Sequence, residues 1–329
     1  MKPRQGASGP DALAVLGPTA TGKTRLALEL AERLDGEIVS LDSRQAYAGL
    51  EVGTAAPDET ERARVRHHGV GFLPPGARYG AGTFTRLARG WIDEIRGRGR
   101  VPLLVGGTGL FYRALVRPIF REPPMDSTGR AALEAWLERR SLETLRRWAT
   151  ELDPARGERL DVLDRQRCLR AIEMALLTGR PLTWWQRHGP LEAEPIRALA
   201  VVLTLPGEEH RRRIRERAEQ ALDGGWVDEV RALRSAGHDG DSPAFSSIGY
   251  RAVDDWLSGE ISRPEALTRI VRDTWAYARR QRTWFRHQVT PDAPRLDARE
   301  PVDALAERVC AEWRLRARDD NGDGEGTIE

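Results

Sequence analysis

Apolar residues in this chain fall into two kinds of pattern that take turns. Short, mainly apolar runs at 13–17 ("LAVLG"), 37–42 ("EIVSLD"), 101–107 ("VPLLVGG") and 198–205 ("ALAVVLTL") have strand length and lack the strict alternation of a half-exposed strand, so they predict strands buried on both faces. Between them, apolar positions recur at helical spacing. Leu26, Leu30 and Leu34 do so in 23–34, with Gly36 past the end, and a second such segment covers 84–96. Strand and helix in alternation imply a parallel sheet wrapped by helices, in which the loops at the carboxyl ends of the strands build the site.

Strand signals stop from about residue 123 to 195, where the pattern predicts helices over 127–139, 141–152 and 164–177, read as a helical insertion. After the returning strand, helices are expected over 208–222, 227–236, 250–257 and 264–287, the last carrying the basic and aromatic run "YARRQRTWFRH". The expected organisation is a discontinuous core domain of 12–122 and 198–317, an insertion domain of 123–197, and disordered tails at 1–11 and 318–329. A chain of 329 residues with 40% hydrophobic content can bury a full core. No apolar run approaches a membrane span, the apolar piece at 13–16 is too short for a signal peptide, and the reading is a cytoplasmic protein. Two cysteines, Cys168 and Cys310, form no disulfide framework or zinc pattern and are read as reduced thiols.

Charge refines the picture. The net charge is +2, but residues 319–329 hold five acidic residues and no basic one, which leaves +7 on residues 1–318, compatible with a polyanionic partner. Nearly all positive charge is arginine. Lysine occurs only at Lys2 and Lys23, and Lys23 sits in a glycine loop, where a compact ammonium on a flexible stem fits between phosphates as a guanidinium fork would not.

That loop, "GPTATGKT" at 17–24, matches the P-loop pattern: backbone N–H groups of Gly17, Thr19, Ala20, Thr21 and Gly22 cradle phosphate oxygens, Lys23 neutralises them, and the Thr24 hydroxyl holds Mg²⁺. Average residue usage puts a chance match at about one in a hundred, and the flanking strand and helix make it rarer, so the fold class is α/β, a P-loop NTPase-like parallel sheet flanked by helices with a helical insertion domain. Two further loops lie at strand ends. "LDSRQAY" places Asp42 and Ser43 beside the glycine loop, although Asp and Ser are equally the favoured helix caps. "GGTGLFY" offers Gly106, Gly107 and the Thr108 hydroxyl at a helix start, or is simply a tight strand-to-helix turn.

The pieces "GPTATGKT", "DSRQAYAGLEVGTAAP", "VPLLVGGTGLFYRAL", "LDRQRCLRAIEMALLTGRPL", "GGWVDEVRAL", "SSIGYRA" and "ARRQRTWFRH" together resemble the tRNA dimethylallyltransferase family, in family order, over about residues 12–287. The resemblance implies that the loop binds the diphosphate of dimethylallyl diphosphate in place of ATP, with Mg²⁺ as cofactor. It implies that Asp42 is the general base, that Thr108 touches the reacting region, and that Arg217 binds diphosphate. It further implies contacts with the tRNA anticodon stem-loop from Asp42, Ser43, Arg44, Gln45 and Thr108, from Arg130, from Gln166, Arg167, Cys168, Leu169 and Arg170, and from Ser246, Ser247, Ile248, Gly249, Tyr250 and Arg251. The family suggests a monomer. Without the resemblance, Arg217 in "HRRRIRER" reads as a solvated helix face, and Arg165, Arg167 and Arg170 as a surface charge cluster. The sequence departs from the family's wording at Ala46, Ala48 and Ala56. A P-loop kinase of a small molecule, an isopentenyltransferase acting on free adenosine phosphates and a noncatalytic RNA-binding protein that has kept the fold are the competing readings; the long insertion argues for a tRNA substrate over a free nucleotide, and the complete catalytic set argues against the third.

Overall fold

The computed structural model describes residues 9–157, 165–238, 242 and 245–318. Most of both expected disordered tails, and Asp164 at the start of a predicted helix, lie outside the described residues. Asp11, counted with the N-terminal tail, is instead engaged: its carboxylate pairs with Arg96 and accepts the Arg197 N–H at 3.0 Å. Arg318 likewise closes the helix Val302–Arg318.

Among the described residues six strands form one sheet: β1 (Ala12–Leu16), β2 (Gly36–Ser40), β3 (His67–His68), β4 (Val101–Gly106), β5 (Ala198–Thr204) and β6 (Arg295–Asp297). Their order is β3-β2-β4-β1-β5-β6, and every pair is parallel. Strand β1 is central, and its period of two splits the core. Ala12, Ala14 and Leu16 face a layer holding Phe84, Ile92, Phe111 and Phe285. Leu13 and Val15 face the other, with Leu26 and Leu30 of the helix Lys23–Leu34 and Leu305 and Val309 of the helix Val302–Arg318. Burial on both faces explains the near-continuous apolar wording of β1 and β5. A third cluster joins Tyr47 and Leu50 to Trp226, Val230, Tyr250 and Ile270 from the helices that follow β5.

The chain divides into a larger unit, up to Arg117 and from Pro195 onward, and a smaller one, Pro118–Glu194. These boundaries fall a few residues before the expected 123 and 197. Phe120 bridges Leu191 and stacks on Trp185, which ties the stem to the smaller unit, while the Ile196 N–H donates to the Leu115 carbonyl at 2.9 Å and belongs to the larger one. The smaller unit packs the helices Ser127–Glu138, Leu142–Leu152 and Arg165–Thr178 around Leu137, Leu145, Ala149, Cys168 and Ile172. Asp126 and Ser141 cap the first two through their side chains, as favoured N-cap residues do.

Candidate active site

The glycine loop leaves β1 along a path that restricts its residues. Gly17 has φ 151°, and a Cβ there would lie 2.7 Å from the Leu203 carbonyl oxygen. Gly22, left-handed at φ 84°, opens the helix Lys23–Leu34, so the free N–H groups of its first turn face the loop. Neighbouring segments clamp the loop from outside. Gln281 accepts the Thr19 N–H at 2.9 Å and donates to the Gly107 carbonyl at 2.9 Å, and His210 Nε2 donates to the Thr19 carbonyl at 2.7 Å. Inside, Lys23 Nζ and Thr21 Oγ1 both donate to the Pro18 carbonyl, at 2.7 and 2.8 Å. Burial, reinforced by the charge of Arg217 and opposed by that of Asp42, pushes the Lys23 ammonium down to about 7.

The second and third loops close on the same place. A Cβ at Gly106 would lie 2.6 Å from the Leu41 carbonyl oxygen, and one at Gly109 2.4 Å from the Trp284 ring; both glycines therefore permit close contact. The Thr108 N–H donates to the Leu41 carbonyl at 3.0 Å, and Thr108 Oγ1 accepts the Ser43 N–H at 3.3 Å. Asp42 Oδ1 accepts the N–H groups of Arg44 and Gln45 at 2.8 and 3.4 Å, a local cap that fixes the carboxylate just past β2. Tyr277 hydrogen-bonds Thr108, and its phenol is pushed up to about 12, first by burial and then by the charge of Asp42. Arg217 is half-buried and belongs to the cavity walls, unlike the solvated helix face read from its stretch. It donates to Thr19 Oγ1 and to the Thr54 carbonyl, each at 3.2 Å. Burial lowers its pKa, with Asp42 acting in the opposite sense. Among the described residues, neither Lys23 nor Arg217 makes an ion pair.

Two cavities meet here. One, of about 450 Å³, is lined by Lys23, Thr24, Gln45, Ala56, Gly107 and Arg213. The other, of about 560 Å³, is lined by Val52, Ile214, Ala218, Trp226, Ile270 and Tyr277. Thr19, Ala20, Asp42, Thr54, Ala55 and Arg217 belong to both walls. The first wall also holds Glu61 and Glu216 and the second Arg44 and Arg280; a polyanion fits beside Lys23 and Arg217, an apolar or aromatic group fits among Val52, Trp226 and Ile270, and Asp42 is the carboxylate common to both walls.

The remaining candidates divide. Ser246, Ser247 and Ile248 line the larger cavity, and the buried Ser247 Oγ has no partner among the described residues. Gly249, at φ 93°, would place a Cβ 2.2 Å from the Trp226 ring, and Arg251 is exposed. Tyr250 is a correction, because its ring is fully buried in the third core cluster and its hydroxyl points at Glu229. Within the smaller unit, Gln166 and Arg167 are exposed, Leu169 packs against the helical core, and Cys168 is fully buried in it and offers no surface. Arg170 and Arg130 share the carboxylates of Glu122 and Glu173. Arg165 caps the end of the helix Ser127–Glu138 by donating to the carbonyls of Leu137 and Arg140 at 3.1 and 2.8 Å. The charge cluster read from sequence is thus largely internal pairing. Tyr277, Gln281, Arg213 and Ala55 were not identified from the sequence; Gln281 and its neighbours lie in the quoted basic and aromatic run, the one signal that pointed to them.

A parallel sheet with a glycine loop after its first strand and a helical unit inserted into the chain defines a P-loop NTPase-like α/β protein. The chain matches the IPP transferase family model over residues 45–288 and the isopentenyl transferase model over 10–68, and it belongs to the IPP transferase family. It is 42% identical over 297 residues to the tRNA dimethylallyltransferase of Maricaulis maris (strain MCS10), covering 90% of this chain and 96% of that protein. It is similar in structure to the full-length tRNA isopentenylpyrophosphate transferase of Bacillus halodurans, with a TM-score of 0.69 and 30% identity over 94% of this chain and 97% of that one. A eukaryotic dimethylallyltransferase acting on tRNA shares the fold, with a TM-score of 0.76 at 21% identity, over 97% of this chain and 80% of that one.

Proposed function

We propose that this chain transfers the dimethylallyl group of dimethylallyl diphosphate to the exocyclic N6 amine of the adenosine 3′ of the anticodon in tRNA, releasing diphosphate. The observation that carries this reading is the shared wall: Asp42 and Arg217 border both the cavity that holds Lys23 and Thr24 and the one that holds Val52, Trp226 and Ile270. Bond making and breaking belong at such a junction. The N6 lone pair forms the bond to the allylic carbon, the carbon–oxygen bond breaks, and its electron pair leaves on diphosphate. The adenine amine is a weak nucleophile, so Asp42 takes its proton as attack proceeds. Lys23, the loop N–H groups and Arg217 stabilise the charge that builds on the leaving group. Thr108 hydrogen-bonds Ser43 and Tyr277, both of which line the larger cavity.

Mg²⁺ fits this site in a limited way. Among the described residues no group of three or more His, Cys, Asp or Glu side chains could hold a metal alone. Thr24 puts a hard hydroxyl oxygen on the wall of the cavity that holds Lys23, and Mg²⁺ commonly takes few protein ligands, completing its shell with phosphate oxygens and water. When bound, the ion would supply charge neutralisation to the diphosphate.

For the RNA, the reading assigns Asp42 to Gln45 and Ser246 to Ile248 to the flipped base and its neighbours, and the exposed Gln166, Arg167 and Arg251 to the anticodon stem-loop backbone. A cytoplasmic monomer belongs to the same reading. Among the described residues no helix is long and apolar enough to cross a membrane.

Incubation with Mg²⁺, radiolabelled dimethylallyl diphosphate and unmodified tRNA whose anticodon is followed by adenosines tests the proposal, with AMP and ATP as parallel substrates. Label in tRNA is the expected result. Label only in AMP would move the chain to nucleotide-specific chemistry, and ATP turnover without prenyl transfer would make the loop a nucleotide site.

A further inference from the structure

Arg217 points into the junction of the two cavities because two oxygens hold it there, Thr19 Oγ1 and the Thr54 carbonyl. Thr54 ends a single helical turn, Glu51–Thr54, whose N-cap, Leu50, has no side chain able to accept a hydrogen bond. The Thr54 N–H and hydroxyl both donate to the Leu50 carbonyl, at 3.2 and 2.6 Å, and close the turn, but its first N–H groups still need partners from elsewhere. Glu229, in the helix Trp226–Ser235, supplies them: one carboxylate oxygen accepts the Val52 N–H at 2.8 Å and the other the Gly53 N–H at 3.1 Å. The Tyr250 hydroxyl donates to the same carboxylate at 2.5 Å. Gly53 leaves room for this arrangement, because a Cβ there would lie 2.2 Å from Trp226 Nε1 and 2.5 Å from the Tyr250 oxygen. At the other end of the turn the Thr54 and Ala55 carbonyls face the cavities and accept Arg217 and Gln45 Nε2.

We infer that Glu229, oriented by Tyr250, is a positioning residue for the transfer reaction: it fixes the turn Glu51–Thr54 so that the Thr54 carbonyl aims Arg217 at the departing diphosphate. Glu229 lines neither cavity and touches no reacting atom; it acts through Arg217. The inference rests on the diphosphate role proposed for Arg217. It explains why a partly buried carboxylate is kept among apolar side chains, where burial raises its pKa against the hydrogen bonds from Tyr250, Val52 and Gly53. It also explains why Tyr250, a fully buried residue, sits in the same segment as the cavity-lining serines.

A double-mutant cycle separates positioning from simple stabilisation. The enzymes to compare are wild type, Glu229→Gln, Tyr250→Phe, Arg217→Ala and each of the first two combined with Arg217→Ala. The readouts are kcat and KM for dimethylallyl diphosphate at saturating tRNA, and Tm. Glu229→Gln is expected to lower kcat about 10–100-fold, the scale of a misplaced catalytic group, and Tyr250→Phe by less, while Arg217→Ala lowers it about 100–1,000-fold. In the Arg217→Ala background the two substitutions should cost no further kcat, yet still lower Tm as they do alone. The same fold-loss in both backgrounds, or a lowered Tm with unchanged kcat, would overturn the inference and leave the diphosphate site standing. Full activity in Arg217→Ala would overturn both. Tyr250→Phe deletes one oxygen and keeps the ring, so it carries the test if Glu229→Gln fails to fold.

Discussion

Strand β2 is bracketed by two carboxylates, Glu37 inside it and Asp42 just past its end, and their surroundings differ in kind. The Glu37 side chain is 1% exposed and fully answered: Arg98 donates to both oxygens at 3.0 and 2.7 Å, His68 meets it at 2.7 Å, and Arg100 and Arg66 stand at 3.4 and 3.9 Å. Burial pushes that carboxyl up, but the hydrogen bonds from Arg98 and His68 outweigh it and hold the group down at about 2. At the other end two cations on which the charge of Asp42 acts rest on neutral oxygens, Lys23 on Pro18 and Arg217 on Thr19 and Thr54. Charges answered within the fold stabilise it, whereas half-buried charges resting on neutral oxygens become more favourable when a polyanion arrives. The second kind sits at the carboxyl ends of the strands, where open parallel sheets place their ligands.

The largest effect should come from the cavity end. Asp42→Ala is expected to cost about 100–10,000-fold in kcat, the range for a general base, with tRNA binding by filter retention and Tm nearly unchanged. An active Asp42→Ala enzyme would remove the base from the mechanism. The reverse profile is expected of Glu37→Gln: a loss of about 3 kcal/mol in denaturant unfolding, as for a broken buried charge cluster, with wild-type kcat wherever the protein remains folded. Should Glu37→Gln cost rate and spare stability, the two ends would not divide the work as described. Gln281→Ala tests the border between the two kinds. It strips the Thr19 N–H and the Gly107 carbonyl of their shared partner, so KM for dimethylallyl diphosphate should rise about tenfold, the order of one buried polar group left unsatisfied. A lowered Tm with unchanged KM would make the clamp structural only.

Much of this contrast was legible in the sequence, and unevenly. The four apolar strands and the glycine loop were readable because burial on both faces and a phosphate cradle each leave a local signature. Strands β3 and β6 have two and three residues, "HH" and "RLD", and carry no pattern to read. Asp42 and Thr108 could be placed at strand ends. Gln281 and Tyr277 could not, because they reach the site from a helix far along the chain, where their spacing is that of any basic amphipathic segment. Arg217 and Arg165 show the same limit from opposite sides. Both sit in arginine-rich stretches, yet one lies in the cavity wall and the other caps a helix, and partners distant in sequence decide which. The expected RNA contacts at Cys168 and Tyr250 failed for that reason too, since helical position fixes which side chains of a surface segment turn inward.

The smallest effect expected is in acid, and it isolates the Glu37 end. A carboxylate whose folded pKa lies below its ordinary value near 4.5 contributes stability that is complete above that value and is lost as pH falls through the folded pKa, here about 2. Wild type and Glu37→Gln should therefore differ by a constant Tm above about pH 5 and converge between about 4.5 and 2, because a protonated Glu37 offers Arg98 and His68 little more than the amide does. Thermal melts at half-unit pH steps would trace the convergence. A gap that stays open down to pH 2 would mean that the neutral side chain already supplies the stabilisation. In that case the charge cluster at the start of β2 would be no better answered than the cavity at its end, and the contrast between the two would fail.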